Sequence, residues 1–271
     1  MKILSVQDIS CYGQCSLTVA LPVLAAYGVE TVILPSAILS THTGGFTGFT
    51  VHDLTEEMPK IVNHWINEKI SFDGIYTGYI GDARQFDLIL SCKEKLMKKE
   101  GLFIVDPAMA DHGKMYYGLG EDIVNGMRKM CSQADYIIPN ITEACFLVNE
   151  EYKEEQTPEF IDNLLNKLFK LGAKNVILTG VVEEDKIGAA YFDGKNKLVV
   201  LKNKVEPSYH GTGDIFSSVI IGEIANNRPI KKALEAACDF VIDSIKATRD
   251  DKEHNYGVKF EEIIRKGNYL K

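Results

Sequence analysis

Short runs of apolar and β-branched residues alternate along this chain with longer stretches whose apolar positions recur every three or four residues. Residues 2–7 predict a strand, and residues 16–27 a helix that stops at Gly28. Residues 31–35 predict the next strand. Residues 37–52 are rich in Thr and Gly, carry almost no helical period and predict a loop. Asp53-Leu54-Thr55-Glu56 has the form of a capping box, opening a helix expected to reach about Lys69. Residues 74–77 predict a strand and 83–99 a helix. Residues 102–105 predict a strand that stops at Asp106-Pro107, and 136–138 one that stops at Pro139-Asn140. Thr142 is placed to cap a short helix over 143–149, and Thr157-Pro158-Glu159 starts another that ends near Gly172. A strand over 176–179 follows, and then a hairpin, 187–192 and 197–205, about Asp193-Gly194-Lys195-Asn196. Residues 214–226, 230–248 and 258–266 predict three closing helices.

Repeated strand–helix units imply an α/β fold, a mostly parallel sheet covered by helices on both faces, with the hairpin as an antiparallel edge. No linker, internal repeat or low-complexity tract divides the chain, so residues 1–271 are expected to form a single domain. Open sheets of this kind bind ligands beyond the carboxyl ends of their strands. Asp8, Asp106, Asn140 and Thr179 fall mostly there, just after predicted strands.

Composition narrows the function classes. A chain of 271 residues, 45% hydrophobic, can bury a core that needs no disulfide or metal staple. A formal charge of -8 weighs against non-specific binding to nucleic acid or anionic lipid, but a local helix end can still hold an anion. The six cysteines form no C-x-x-C pair, which weighs against structural zinc and fits a reducing compartment. Cys11 and Cys15 have no adjacent His and read as packing residues. The first residues do not resemble a signal peptide, and no apolar run nears the ~18 residues of a membrane helix. The expectation is a soluble cytoplasmic protein with neither nucleic acid nor membrane as partner.

The candidate chemistry begins at His210-Gly211-Thr212-Gly213-Asp214, which leads straight into a helix. Two glycines allow a tight turn that aims several N–H groups at one point, and the helix dipole adds to them. Asp214 in the first turn can face the same point. Phosphoryl transfer to an alcohol requires this pairing of donors for the phosphoryl group with a base for the hydroxyl proton. A plain Gly-containing turn with an Asp at a helix start has the same sequence. Asp106-Pro107 and Asp111 bring two carboxylates beyond a strand end, hard oxygen ligands of the kind Mg²⁺ takes. Pro139-Asn140-Ile141-Thr142-Glu143 offers Glu143 to Mg²⁺ through water and Asn140 to phosphate, or else an ordinary helix cap. Ser40-Thr41-His42-Thr43-Gly44-Gly45-Phe46-Thr47-Gly48-Phe49 suits a lid or a substrate wall. No Walker A sequence and no G-x-G-x-x-G after the first strand is present, which disfavours P-loop and dinucleotide-binding folds.

In this order and at these separations, the motifs resemble the ribokinase superfamily, and within it the pyridoxal (vitamin B6) kinase family. The likeness runs from Ser5-Val6-Gln7-Asp8 and Tyr12-Gly13 through Ser40-Thr41-His42-Thr43-Gly44 and Thr77-Gly78-Tyr79-Ile80-Gly81. It continues through Asp106-Pro107 with Asp111 and Pro139-Asn140 with Glu143, and ends at Gly211-Thr212-Gly213-Asp214. The resemblance implies a three-layer α/β/α fold and transfer of the γ-phosphate of ATP to the hydroxymethyl group of a B6 vitamer. It also implies Mg²⁺, K⁺ or another monovalent cation, and a homodimer. By motif match, Asp214 is the base and Gly211, Thr212 and Gly213 form the anion hole. Asp111 and Glu143 match the Mg-phosphate carboxylates, Asn140 and Thr179 match nucleotide-phosphate contacts, and Asp8, His42, Thr43 and Tyr79 match positions around the pyridine ring. Asp8 departs from the Ser that B6 kinases usually carry. A carboxylate there would favour a protonated ring nitrogen or a cationic amine. Asp8 and His210 also resemble features of the hydroxymethylpyrimidine kinases, which share the chemistry. A non-catalytic ligand-binding protein of the same fold is the reading from outside enzymes.

Overall fold

A computed structural model of the chain describes residues 1–267. The first half comprises β1 (Lys2–Tyr12), α1 (Leu17–Ala26), β2 (Glu30–Thr41), β3 (Val51–Asp53), α2 (Met58–Asn67), β4 (Phe72–Thr77), α3 (Gln85–Leu96) and β5 (Met97–Val105). A short ribbon of β6 (Ala110–Asp111) and β7 (Lys114–Met115) precedes α4 (Glu121–Cys131), β8 (Tyr136–Ile137), α5 (Ile141–Val148) and α6 (Pro158–Leu171). The chain closes with β9 (Asn175–Glu183), β10 (Lys186–Phe192), β11 (Lys197–Asn203), α7 (Thr212–Ala225), α8 (Ile230–Thr248) and α9 (Phe260–Lys266).

Nine strands share one sheet in the order β11-β10-β9-β8-β5-β4-β1-β2-β3. The pairings from β2 through β9 are parallel, while β3 at one edge and β10 and β11 at the other run antiparallel. Both faces are apolar, as a sheet covered on both sides requires. Ile75, Phe103, Val105, Val176 and Leu178 pack beneath α2 to α6. Their neighbours Tyr76, Ile104 and Ile177 point the other way, against α1, α7, α8 and α9. The fold is therefore three-layer α/β/α, as the motif order implies.

Several boundaries differ from the sequence reading. The stretch 37–52 is not all loop: β2 runs on to Thr41, paired along its length with β1, and β3 folds back on it, leaving 42–50 as the tip. Asp53 does not open a capping box. Its carboxylate accepts from the N–H and hydroxyl of Thr55, Glu56 pairs with Arg84, and α2 begins only at Met58. The helix expected over 83–99 stops at Leu96, because Met97 pairs with Phe72 and draws the next residues into β5. Asp8 and Thr179 lie inside β1 and β9 rather than after them. The cap of α5 is Asn140, not Thr142, whose hydroxyl accepts instead from the N–H of Gly113. Cys15 is buried, but Cys11 is exposed and packs into no core.

Thr157 starts α6 as its sequence suggests, its hydroxyl accepting from the N–H of Phe160 at 3.2 Å. Thr157→Ala is expected to lower stability by about 1 kcal/mol, and Thr157→Ser to recover most of it, in urea unfolding followed by circular dichroism. An Ala variant as stable as the unaltered protein would mean that this cap contributes nothing.

Candidate active site

A cavity of about 310 Å³ opens beyond the carboxyl ends of the central strands. Its floor is set by the strand order, which brings Asp106 after β5, Asn140 after β8 and Thr179 of β9 side by side. A parallel bridge between Asn140 and Thr179 prolongs the β8–β9 pairing to that edge. Asp111, Glu143 and the run Gly211, Thr212, Gly213 and Asp214 complete the polar wall. The opposite wall is apolar, with Ile187, Val205, Val241, Ile242 and Ile245.

Two helices present their N-termini to this space, and their ends differ. At α5 the Asn140 side chain accepts from the N–H of Glu143 at 2.9 Å, and Glu143 Oε2 accepts from the N–H of Asn140 at 2.8 Å. The amide of Asn140 also donates to the Ala110 carbonyl at 2.8 Å, and Glu143 Oε1 accepts from the N–H of Met109. The helix end is thus closed by its own side chains. At α7 the cap is Gly211, which offers no side chain. Its φ is 80°, and an added Cβ would fall 1.8 Å from the Gln14 carbonyl oxygen, so only glycine fits. No side chain caps the first turn of α7, and N–H groups at such a helix end can serve an outside acceptor such as an anion.

Beside it stands a set of carboxylates. Asp106 and Glu143 are 7% and 3% exposed. Burial raises both, and the Asp106 charge raises Glu143 further, against the hydrogen bonds that Glu143 accepts from Asn140 and Met109. Ser217, one turn into α7 beyond Asp214, donates its hydroxyl to Asp106 at 2.6 Å. Asp214 is pushed up to about 7, first by burial and then by the charge of Asp106, with a smaller push from Asp8. An N–H bond from Ser16 opposes these effects. Desolvation and like charge together give Asp214 the basicity of a proton acceptor near neutral pH. The main influences on Asp106, Glu143 and Asp214 are burial, like charge and hydrogen bonds from N–H groups and the Ser217 hydroxyl, while Lys204 and His210 also line the cavity.

This donor set suits a hard divalent cation that shares its coordination with phosphate oxygens. Among the described residues no three His, Cys, Asp or Glu side chains stand close enough to hold a metal unaided. Asp111 is more exposed than Glu143, and one of its oxygens accepts from the N–H of His112.

The remaining sequence-predicted residues lie off this cavity. Asp8 sits at a bulge in β1, between Gln7 and Ile9, which re-aims the strand. It is 3% exposed and accepts from the Ser10 hydroxyl at 2.9 Å, and burial raises its pKa. Tyr79, just after β4, is pushed up to about 12 by burial and by the Asp8 charge. His42 and Thr43 follow β2. The His42 ring lies 5.0 Å from that of Phe46 and 5.2 Å from that of His210, and His210 lines the cavity. Asp8 and Tyr79 thus form one group that reaches the cavity wall through Asp214. His42 reaches it through His210.

The sequence offered Asp106 only as a candidate Mg²⁺ ligand beside Asp111, and its charge, which raises both Glu143 and Asp214, was not foreseen. Its position before Pro107 at a strand end was the available signal. Ser16 and Ser217, which fix Asp214 and Asp106, and the apolar wall from α8 carry no local signature. Their places follow from packing between distant segments.

The phosphomethylpyrimidine kinase family model matches residues 20–259. A candidate phosphomethylpyrimidine kinase from Bacteroides thetaiotaomicron, crystallised with pyridoxal, is 34% identical, with a TM-score of 0.91 over 98% of this chain and 94% of that one. The pyridoxal kinase of Lactobacillus plantarum is 30% identical, with a TM-score of 0.90 over 98% of this chain and 95% of its own. The pyridoxal kinase of Dictyostelium discoideum is 26% identical over 93% of this chain and 88% of its own length.

Asp106, Glu143 and Asp214 bind protons more tightly folded than unfolded. Each therefore contributes stability at low pH that is lost as pH rises from the ordinary carboxylate range through, for Asp214, about 7. Asp106→Asn is expected to lose less stability than the unaltered protein between about pH 5 and 8, measured by urea unfolding without nucleotide. Parallel pH curves for the two proteins would show that the Asp106 charge imposes no such cost.

Proposed function

This chain belongs to the phosphomethylpyrimidine kinase family of the ribokinase superfamily, and from that premise we propose that it transfers the γ-phosphate of ATP to the hydroxymethyl group of pyridoxal, pyridoxine or pyridoxamine. The observation that carries this reading is the uncapped N-terminus of α7 with Asp214, raised to about 7, in its first turn. The likeness to the Lactobacillus plantarum pyridoxal kinase, and to the Bacteroides thetaiotaomicron protein crystallised with pyridoxal, supports a B6 vitamer as the acceptor.

The apolar wall of Val205, Val241, Ile242 and Ile245 suits the adenine base, which places the phosphates toward Thr179, Asn140 and the α7 terminus. N–H groups of Gly211, Thr212 and Gly213 take the charge that develops on the transferring phosphoryl oxygens. Asp214 accepts the proton of the attacking hydroxyl. Asp111 and Glu143 would hold Mg²⁺, which when bound offsets phosphate charge, and Asp106 is placed behind them. Asp8, Tyr79, His42 and Thr43 form the acceptor side, across Asp214 from the nucleotide. A monovalent cation, a homodimer and a cytoplasmic setting complete the reading. Ile38 and Val51, exposed near the β2–β3 edge, supply apolar area that such a dimer uses. Residues 1–271 act as one kinase domain, in keeping with the single nine-stranded sheet.

ADP formation measured with pyridoxal, pyridoxine, pyridoxamine, hydroxymethylpyrimidine and ribose in parallel tests the proposal. Turnover of at least one B6 vitamer, and its loss by ~10²-fold or more in Asp214→Asn with the fold intact, are the expected results. Turnover of the pyrimidine alone would overturn the substrate, and a fully active Asp214→Asn would overturn the base.

A further inference from the structure

Residues Gly13 to Ser16 connect β1 to α1 and touch the catalytic turn and the C-terminal segment at once. On one side the Gln14 carbonyl packs so closely against Gly211 that no side chain fits between them. Two residues on, the Ser16 N–H bonds the Asp214 carboxylate, while the Ser16 hydroxyl bonds Asp8. Ser16 has a φ of 50°, a conformation that a non-glycine residue holds only where its surroundings enforce it.

The loop is held locally by the Thr18 hydroxyl, which lies 3.0 Å from the Gly13 carbonyl and 2.7 Å from that of Cys15, and from the other side by the C-terminal segment. The Gln14 N–H donates to the Tyr256 carbonyl at 2.9 Å. Its side-chain amide donates to Glu261 Oε1 at 2.7 Å, and its amide oxygen lies 2.8 Å from His254 Nε2. Gly257, with a φ of 150°, leaves room where a Cβ would come within 2.4 Å of Gln14 Cβ. The rings of Tyr256 and His254 pack at 4.2 Å, and Tyr256 also stacks on Tyr12 at the end of β1. Every bond of the Gln14 side chain thus ends on the segment around α9, while its backbone braces the anion turn.

We infer that Gln14 is a positioning residue for the transfer step: clamped by His254 and Glu261, it holds Gly211 and the Ser16 N–H in register with Asp214. The inference rests on Asp214 as the base. It follows that the segment around α9, whose described residues do not line the cavity, sets how well the anion turn and the base are aligned. Asp214 is faced by Asp106 after β5, Asp8 from β1, the Cys15 thiol and the phenols of Tyr76 and Tyr116. Against those influences the Ser16 N–H is the bond that holds its pKa down.

The test uses the full chain and whichever B6 vitamer it turns over, with Gln14→Ala, Gln14→Glu, Glu261→Gln and the Gln14→Glu/Glu261→Gln pair. Loosening the strap is expected to lower kcat by about 10- to 100-fold in Gln14→Ala, with the KM for ATP within about twofold. The acid limb of its kcat profile is expected to move to higher pH, because Asp214 loses a donor. Loss of stability alone would not move that limb. Gln14→Glu sets like charges against each other at Glu261 and is expected to fall at least as far. The double variant restores an amide–carboxylate pair and is expected to recover most of kcat. Glu261→Gln alone, whose amide oxygen still accepts from Gln14, is expected to stay near the unaltered rate. Unaltered kcat and pH profile in Gln14→Ala beside an inactive Asp214→Asn would overturn the strap alone. Failure of the double variant to recover would overturn the clamp. A fully active Asp214→Asn would remove the base on which the inference stands.

Discussion

Desolvated carboxylates gathered at one end of a sheet repel one another, and the rest of this structure is arranged around that repulsion. Asp8, Asp106, Glu143 and Asp214 come from β1, the end of β5, the start of α5 and the start of α7. Backbone N–H groups and serine hydroxyls, rather than cations, are the partners that lower their proton affinity. Such partners hold a carboxylate in place without neutralising it. The charge is left for what enters the cavity: cations arriving with a nucleotide, and a proton arriving from an alcohol. A site stabilised by its own lysines would be quieter and less able to accept either.

The two helix ends on the cavity show how the same element can be used in opposite ways. At α5 the backbone donors are consumed by Asn140 and Glu143, so that Glu143 is fixed by the helix it caps. At α7 glycine removes the cap and leaves the donors free. The reading of Asn140 as a helix cap is what the structure shows, and the bonds that cap the helix are also the ones that fix the Glu143 carboxylate at the cavity. Asp214 needs a different restraint. It lies in a first turn without a capping side chain, and its fixed donor is the N–H of Ser16 from the far end of the chain.

What could be read in the sequence was what is contiguous in it. The Gly-Thr-Gly-Asp run states its turn, its helix start and its acid within a few residues. The alternation of strands and helices states the layers. Thr157-Pro158 states a helix end that the structure reproduces. What could not be read depends on pairing across distance. Lys98 and Lys99 are good helix formers, but β4 pulls Met97 and its successors into a strand. The Thr-rich stretch after Ala37 reads as loop until β1 and β3 give it partners. Helix α4 escaped notice because Gly126 interrupts its pattern. That glycine is there because Phe86 occupies the space of its Cβ, only 2.1 Å away. Asp106 and Asp214 are far apart in the chain, and only the order of a parallel sheet makes them neighbours.

The interior place of β1 in that sheet, between β4 and β2, and the contact of Ser16 with Asp214 have a consequence for synthesis of the chain. β1 leaves the ribosome well before the turn at Gly211 to Asp214 and the helices that pack behind it. A nascent or truncated chain can assemble much of the sheet while lacking any means of activating an alcohol. Its half-built pocket would spend no ATP on water or on stray metabolites, and competence waits until α7 docks on α1.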